Sequence, residues 1–401
     1  MENRSRLDFP KLKDAKTAYF DSAATSLKPS VVIDAIDDYY RRISANIHRG
    51  VYDEAYEATR LYEEAREAAA SFIGAQTEEI VFTRGATSAL NFVASAYGAA
   101  HLKEGDEIVL SELEHHSLLL PFQAAAAKAK AKLVYVPLNA SGRITAEAVE
   151  SVLTKRTKIV ALAMLTNVFG YRAPIEAIAP LVHARGAVLV VDAAQAALHQ
   201  KIDVSTLGCD FLAFSGHKML GPTGIGVLYG KKAILETLEP LEYGGDMNDR
   251  VGKFVSEWKD SPFRFEAGTM PIAEAIGLAA AIRYIRQTGI ETIEHDTTRL
   301  YRYTFALLKK IDGVTIYNAD SEAGIVAFNL DRVHPHDAAS FYAEQGVAVR
   351  AGHHCAQLVM QWLGIEASLR ASIAFYNSYS ECDRLVEATK EAVRFFQRVG
   401  F

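Results

Sequence analysis

Apolar residues along this chain recur with two different periods, and the change of period marks out the elements. The stretches VVIDAIDDYYRRI (31–43) and TRLYEEAREAAASFIGA (59–75) carry them at helical spacing. From there to about residue 230, Ala-rich helical stretches alternate with short β-rich runs. These are EIVFT (79–83), EIVLS (107–111), KLVYVPL (132–138), KIVALAML (158–165), AVLVVD (187–192), FLAFS (211–215) and GIGVLYG (224–230). Most are near-continuously apolar, which predicts strands buried on both faces, as in a mostly parallel sheet covered by helices. The spacings suit strand–helix–strand crossovers throughout. After about residue 240 the rhythm changes. LEYGGDMND and WKDSPFRFEAGTMP read as long loops, and IAEAIGLAAAIRYIRQTG and TIEHDTTRLYRYTFALLKKI as helices. GIVAFNL, HDAASFYAEQG, VAVRAG and ECDRLVEATKEAVRFFQRV then alternate strand and helix on a smaller scale. The expectation is an α/β chain: a large domain over residues 26–274 with a seven-stranded sheet, and a smaller α+β domain from residues 1–25 and 275–401.

Composition narrows the class. The chain has 401 residues and a formal net charge of −6, without the basic stripe of a nucleic-acid binder. Its three cysteines, Cys209, Cys355 and Cys382, are odd in number and far apart, so no disulfide framework is expected. The opening residues carry no apolar signal segment, and no apolar run reaches the roughly 18 residues of a membrane helix. A soluble cytoplasmic protein is expected.

In open α/β sheets ligands bind beyond the carboxyl ends of the strands, so the residues just after each strand are the candidates for chemistry. After EIVFT comes RGATSALN, a Gly-containing turn that opens a helix, with Thr87 in its first turn. Such a turn suits a phosphate. After EIVLS come His115 and His116, and after KIVALAML come Thr166 and Asn167. AVLVVD ends in Asp192, with Gln195 three residues on, and FLAF leads into Ser215, His217 and Lys218 and a Gly-rich stretch. Each feature alone is weak, since a strand-end Asp is often only a helix cap and most lysines are solvated. Together they suggest a phosphorylated heteroaromatic cofactor. Pyridoxal 5'-phosphate fits well, because its aldehyde needs a lysine and its ring nitrogen a carboxylate. Neither a Walker loop nor a dinucleotide fingerprint occurs.

VVDAAQ followed by FSGHKMLGPTGIGVLYG resembles the class V aminotransferase group of fold type I pyridoxal-phosphate enzymes. YFDSAATSLKP, NIHRGVY, FTRGATSALN, EHHS, TNVFG, FEAGT, RAGHHCAQ and LRASIAFYN extend the resemblance nearly end to end, and the last two are similar to cysteine desulfurases of the second type and selenocysteine lyases. The resemblance implies that Lys218 carries the cofactor aldehyde, Asp192 pairs with the pyridine nitrogen, and Gln195 hydrogen-bonds the ring hydroxyl. It implies that His115 stacks on the ring and serves in proton transfer. Ala86, Thr87, Ser215 and His217 would bind the phosphate, and Thr269 would reach it from a partner subunit, hence an expected homodimer. Asn167 would lie near the bound amino acid, and Arg370 would clamp its carboxylate, a match of planar fork to carboxylate. Leu358 stands where the family usually has Pro.

RAGHHCAQLV holds the remaining candidate. Structural zinc at Cys355 would need a nearby C-x₂₋₄-C pair, which the chain lacks, so no metal is expected. A buried core thiol suits Cys209 and Cys382. AQLVMQWLG predicts a short helix ending near Gly364, which places Cys355 at a helix N-terminal edge beside histidine, where thiolate is favoured. With the resemblance, Cys355 is expected to accept sulfur from L-cysteine as a persulfide, leaving L-alanine. The sulfur would pass to an acceptor protein in iron–sulfur cluster assembly. A selenocysteine lyase acting on L-selenocysteine, or another amino-acid lyase or epimerase on the same scaffold, is the alternative.

Overall fold

The computed structural model describes residues 4–400; residues 1–3 and 401, at the outer ends of the expected smaller domain, lie outside the described residues. All seven expected strands form: β1 (Ile80–Thr83), β2 (Glu107–Leu110), β3 (Lys132–Tyr135), β4 (Thr157–Ala163), β5 (Val188–Asp192), β6 (Phe211–Ser215) and β7 (Gly226–Gly230). They make one sheet in the order β1-β7-β6-β5-β4-β2-β3. Alternate residues of each strand enter two separate apolar layers, which is why the runs are nearly continuous. Val109, Val160, Leu189, Val191 and Leu212 belong to one layer, and Ile108, Ile159, Val190, Phe211 and Ala213 to the other. Each large side chain so removed from water contributes about 1.5–3 kcal/mol.

Helices α1 (Asp53–Ile73), α2 (Ala86–Phe92), α3 (His116–Ala129), α4 (Ile272–Thr288), α5 (Ile290–Leu308), α6 (Gln357–Leu363) and α7 (Tyr379–Arg398) are those that bear on the site. The start of α1 is acidic, at Asp53 and Glu54, and favourable to its dipole; Gly74, at φ 72°, closes it in the left-handed conformation. Among the described residues no helix is long and apolar enough to cross a membrane.

Three expectations need correcting. Strand β7 runs antiparallel to both β6 and β1, so crossovers do not continue throughout. The link from β6 to β7 turns back on itself instead: Gly216 N–H donates to the Ile225 carbonyl at 3.0 Å and Gly221 N–H to the Gly216 carbonyl at 2.9 Å. The stretch expected as loops contains an antiparallel hairpin, β8 (Asn248–Val251) with β9 (Ser256–Trp258), whose residues are largely exposed and so show no core pattern. VAVRAG is not one strand. Val347–Ala348 pairs in parallel with Ala18–Tyr19, whereas β12 (Arg350–Gly352) joins a second sheet.

That second sheet is antiparallel, in the order β10 (Val314–Ile316), β11 (Ile325–Leu330), β13 (Ser368–Ser372) and β12. Its apolar side packs on residues such as Leu300 of α5 and Leu385 of α7. Strands β1 to β6 share one direction, so their carboxyl ends gather at one edge. There the second sheet meets the first: Asn318, just past β10, donates from Nδ2 to the carbonyl of Phe169, in the loop after β4, at 2.9 Å.

A buried ion pair anchors one side of this edge. The Arg66 guanidinium, on α1, meets both oxygens of Glu266 at 2.7 and 2.8 Å. Glu266 also accepts from Phe82 N–H of β1 at 2.8 Å and from the Tyr62 hydroxyl at 3.0 Å. The carboxylate thus holds the FEAGT segment to the strand that leads into the RGATS turn. Removing one partner strands the other charge in the interior. Glu266→Ala is expected to destabilise the protein by about 3–5 kcal/mol, measured by denaturant unfolding; a loss below about 1 kcal/mol would show that the pair behaves as a surface one.

Candidate active site

All the expected site residues except Gln195 and Thr269 line one cavity of about 180 Å³ at the shared strand edge. β1 leads into Gly85, at φ 151°, and then α2. Ala86 N–H, in the first turn of α2, donates to Ser215 Oγ at 2.8 Å, and Thr87 Oγ1 lies 2.7 Å from Ser117 Oγ. The turn fits closely against β7, since a side chain at Gly226 would meet the Gly85 Cα at 2.5 Å. Asp192 ends β5, and its Oδ1 accepts from Ala194 N–H at 2.9 Å. Lys218 closes the turn after β6. His115 caps α3, its Nδ1 accepting from Ser117 N–H at 3.0 Å.

The second sheet supplies the facing wall. Arg370 of β13 donates from Nη1 to the Asn167 carbonyl at 2.8 Å and from Nη2 to Asp21 at 3.4 Å. Asn167 Nδ2 donates to the His354 carbonyl at 2.7 Å. Arg370 Nε, Asn167 Oδ1 and His354 Nδ1 are buried with no hydrogen-bond partner. They are polar groups at the cavity wall with capacity to spare. Cys355 is exposed, whereas Cys209 and Cys382 are fully buried. Burial pushes both of those thiols up to about 12, so they stay protonated. Helix α6 ends at Gly364, in the left-handed conformation, as expected. Among the described residues no group of three or more His, Cys, Asp or Glu is placed to hold a metal ion.

The two exceptions lie close by. Gln195 is buried and donates from Nε2 to the carbonyl of Ala23, itself a lining residue, at 2.8 Å. Thr269 lines a neighbouring cleft of about 710 Å³, shared with Thr87, Ser215 and His217. Six lining residues carry no role assigned from sequence: Ala23, Ala24, Ser117, Ala194, Arg350 and His354. Ala23 lies in YFDSAATS and the last two in RAGHHCAQ, both motifs singled out, but only the pairing of Arg350 opposite Arg370 across β12 and β13 shows that two arginines face one site. Leu358 is partly buried against the apolar layer that holds Leu118 and Phe122.

The chain's match to the family model "Aminotransferase class-V" covers residues 18–385. The chain belongs to this family. A "Probable cysteine desulfurase" of Halalkalibacterium halodurans is 51% identical over 382 residues, covering 95% of this chain and 94% of that one. The solved apo structure of the cysteine desulfurase from Thermococcus onnurineus NA1 is similar, with TM-score 0.94 and 41% identity over 98% of this chain and 99% of that one. The cysteine desulfurase CsdA of Escherichia coli, solved in an S-sulfonic acid form, has TM-score 0.92 and 39% identity over 97% and 98% of the two chains.

Burial dominates the electrostatics of the site. It lowers Lys218, with Asp192 opposing, and raises Asp192, with Lys218 opposing. Burial, then Lys218, depresses His115 to about 3 and His217 to about 4; burial alone takes His199 to about 4. An unfolded histidine takes up its proton near pH 6.5, while these folded ones refuse it until pH 3–4. Their stabilising contribution is therefore present above pH 6.5 and lost as the pH falls toward 4. Glu114, raised by burial to about 8, opposes this with a single proton. The melting temperature of the ligand-free protein is expected to fall between pH 6.5 and 4.5. A flat or rising profile would contradict the assignment of these histidines as buried and neutral.

Proposed function

We propose that this protein is a pyridoxal-phosphate-dependent cysteine desulfurase, converting L-cysteine to L-alanine with a persulfide left on Cys355. The observation that carries this reading is the placement of the exposed Cys355 thiol and Lys218 on one cavity that also holds Asp192 and Arg370. The residues fit the cofactor. Asp192 is a buried carboxyl group for the pyridine nitrogen, His115 a neutral ring beside it, and Ala86, Thr87, Ser215 and His217 surround a helix start suited to the phosphate. Bound there, pyridoxal phosphate supplies an electron sink that loosens the Cα–H and Cβ–S bonds of the amino acid.

The chain's own groups do the rest. Lys218, lowered by burial, holds the cofactor and then takes the Cα proton. Arg370 fixes the substrate carboxylate, using the unpartnered Nε on its buried fork. His115 handles later protons. Cys355 sulfur bonds to the substrate sulfur as the Cβ–S bond breaks; the carbon keeps the bond pair and is protonated to alanine. The persulfide sulfur then passes to an acceptor thiol, in our reading that of a protein serving iron–sulfur cluster assembly in the cytoplasm. We take residues 26–274 as the cofactor-binding domain, residues 1–25 with 275–401 as the smaller one, and the working unit as a homodimer in which Thr269 reaches the partner's phosphate.

The purified protein is expected to be yellow and to release alanine from cysteine in the presence of a thiol. Lys218→Ala loses the visible absorbance change on adding cysteine. Cys355→Ala keeps the colour and loses alanine formation from cysteine, with selenocysteine assayed beside it. Native cysteine turnover in Cys355→Ala would sink the persulfide role, and faster turnover of selenocysteine would turn the substrate assignment toward the lyase.

A further inference from the structure

Cys355 sits in a turn that its backbone would not hold unaided. His354 and Cys355 are consecutive non-glycine residues in the left-handed region, at φ 53° and 55°, where Cβ crowds the following carbonyl. Bonds from several directions hold them there. Asn167 Nδ2 donates to the His354 carbonyl at 2.7 Å, His354 Nε2 lies 3.0 Å from Ser368 Oγ, and Ala356 N–H donates to the His353 carbonyl at 2.9 Å.

Two further bonds come from a residue with no part in the chemistry above. The His116 backbone N–H donates to the Cys355 carbonyl at 2.7 Å, and His116 Nε2 accepts from Gln357 N–H at 3.1 Å. One residue therefore grips the chain on both sides of Ala356, immediately after Cys355. His116 is also the first residue of α3, directly after His115, whose own ring caps the same helix start. Its backbone donor is one of the orphan N–H groups that any helix start leaves free. The side-chain acceptor is different, because nothing about starting a helix requires it. Accepting at Nε2 fixes the neutral tautomer with its proton on Nδ1. Burial and the neighbouring His353 lower the pKa of His116, which favours that neutral form.

We infer that His116 is a positioning residue that fixes the Cys355 turn against the cofactor cavity through the acceptor on its Nε2. Its effect on turnover rests on the cysteine desulfurase reading; the bond to Gln357 does not. The helix start that sets His115 at the cavity thereby also sets the thiol, so the two keep one register.

The test uses the holoenzyme and two substitutions. His116→Phe keeps the bulk of a ring and the backbone bond but removes the acceptor, and His116→Gln restores an oxygen acceptor at similar reach. His116→Phe is expected to lower kcat for cysteine about three- to tenfold, the worth of one such bond, with KM and the visible spectrum near native. His116→Gln recovers most of the rate. Hydrogen–deuterium exchange in the peptide spanning residues 353–360 accelerates in His116→Phe and returns toward native in His116→Gln. Native exchange in His116→Phe overturns the inference, as does an equal loss of rate and protection in both variants, which would make His116 a packing residue only. His116→Asn, too short to reach Gln357, replaces the phenylalanine variant if that one does not fold. If the unsubstituted protein does not turn over cysteine, the function fails while the exchange comparison still decides the positioning role.

Discussion

The polar design of this site depends on the burial of one carboxylate. Asp192 ends a strand whose five residues are all buried, and loss of water there pushes it toward the neutral acid. A carboxylate in such a place stays ionised only opposite a cation. Lys218 supplies one across the cavity, and its own burial lowers it in turn. Each opposes the other's shift toward the neutral form. In the proposed reaction Asp192 would hold the ring nitrogen of the cofactor, which would supply the facing cation and leave Lys218 free to act as a base. Burial first, and then the neighbouring Lys218, lower His115 and His217 toward the neutral form as well.

Glu114 shows the same constraint from the other side. It is buried, accepting from the Ser111 hydroxyl at 2.6 Å and from Ala163 N–H at 2.8 Å. Ala163 is the residue that pairs with Asp192 across β4 and β5. Glu114 therefore fastens the loop carrying His115 to the strand end beside Asp192. An ionised Glu114 would repel the nearby Asp192, and burial, by raising it to about 8, keeps it neutral at pH 7. The loop gains its anchor without a second charge.

How far the sequence could be read depends on which residues carry a burial pattern. The strands of the large sheet were legible because, apart from the partly exposed edge strand β3, both their faces are buried, and so were Asp192 and Lys218, which stand at strand ends. The direction of β7 was not legible, because a run such as GIGVLYG looks the same whichever way it enters a sheet. The hairpin β8–β9 was hidden for the opposite reason: its residues are mostly exposed and carry no core signal. VAVRAG read as one strand because nothing in its composition marks Val349 as the point where the chain leaves one sheet for another. The place of Arg350 at the cavity needed the register of β12 on β13, and the bonds of His116 needed the approach of segments some 240 residues apart.

The two halves of the site come from different sheets, and this division sets the demands on each. The large sheet supplies Asp192, Lys218 and the helix start at Ala86, all on short turns fixed by buried strands. The second sheet supplies Arg370 and leads through β12 into the Cys355 turn. Left-handed backbone at two successive non-glycine residues costs about 1–2 kcal/mol each, and bonds from the first half, at Asn167 and His116, help hold the turn against that cost. Asp21 adds a looser tie, 3.4 Å from Arg370 and 3.6 Å from Arg350. One carboxylate shared between two arginines at such distances leaves net positive charge at the cavity wall. In the proposed reaction an incoming α-carboxylate would meet Arg370 without displacing a tightly held carboxylate, and its binding would bring the amino-acid sulfur into the cavity that the Cys355 thiol lines.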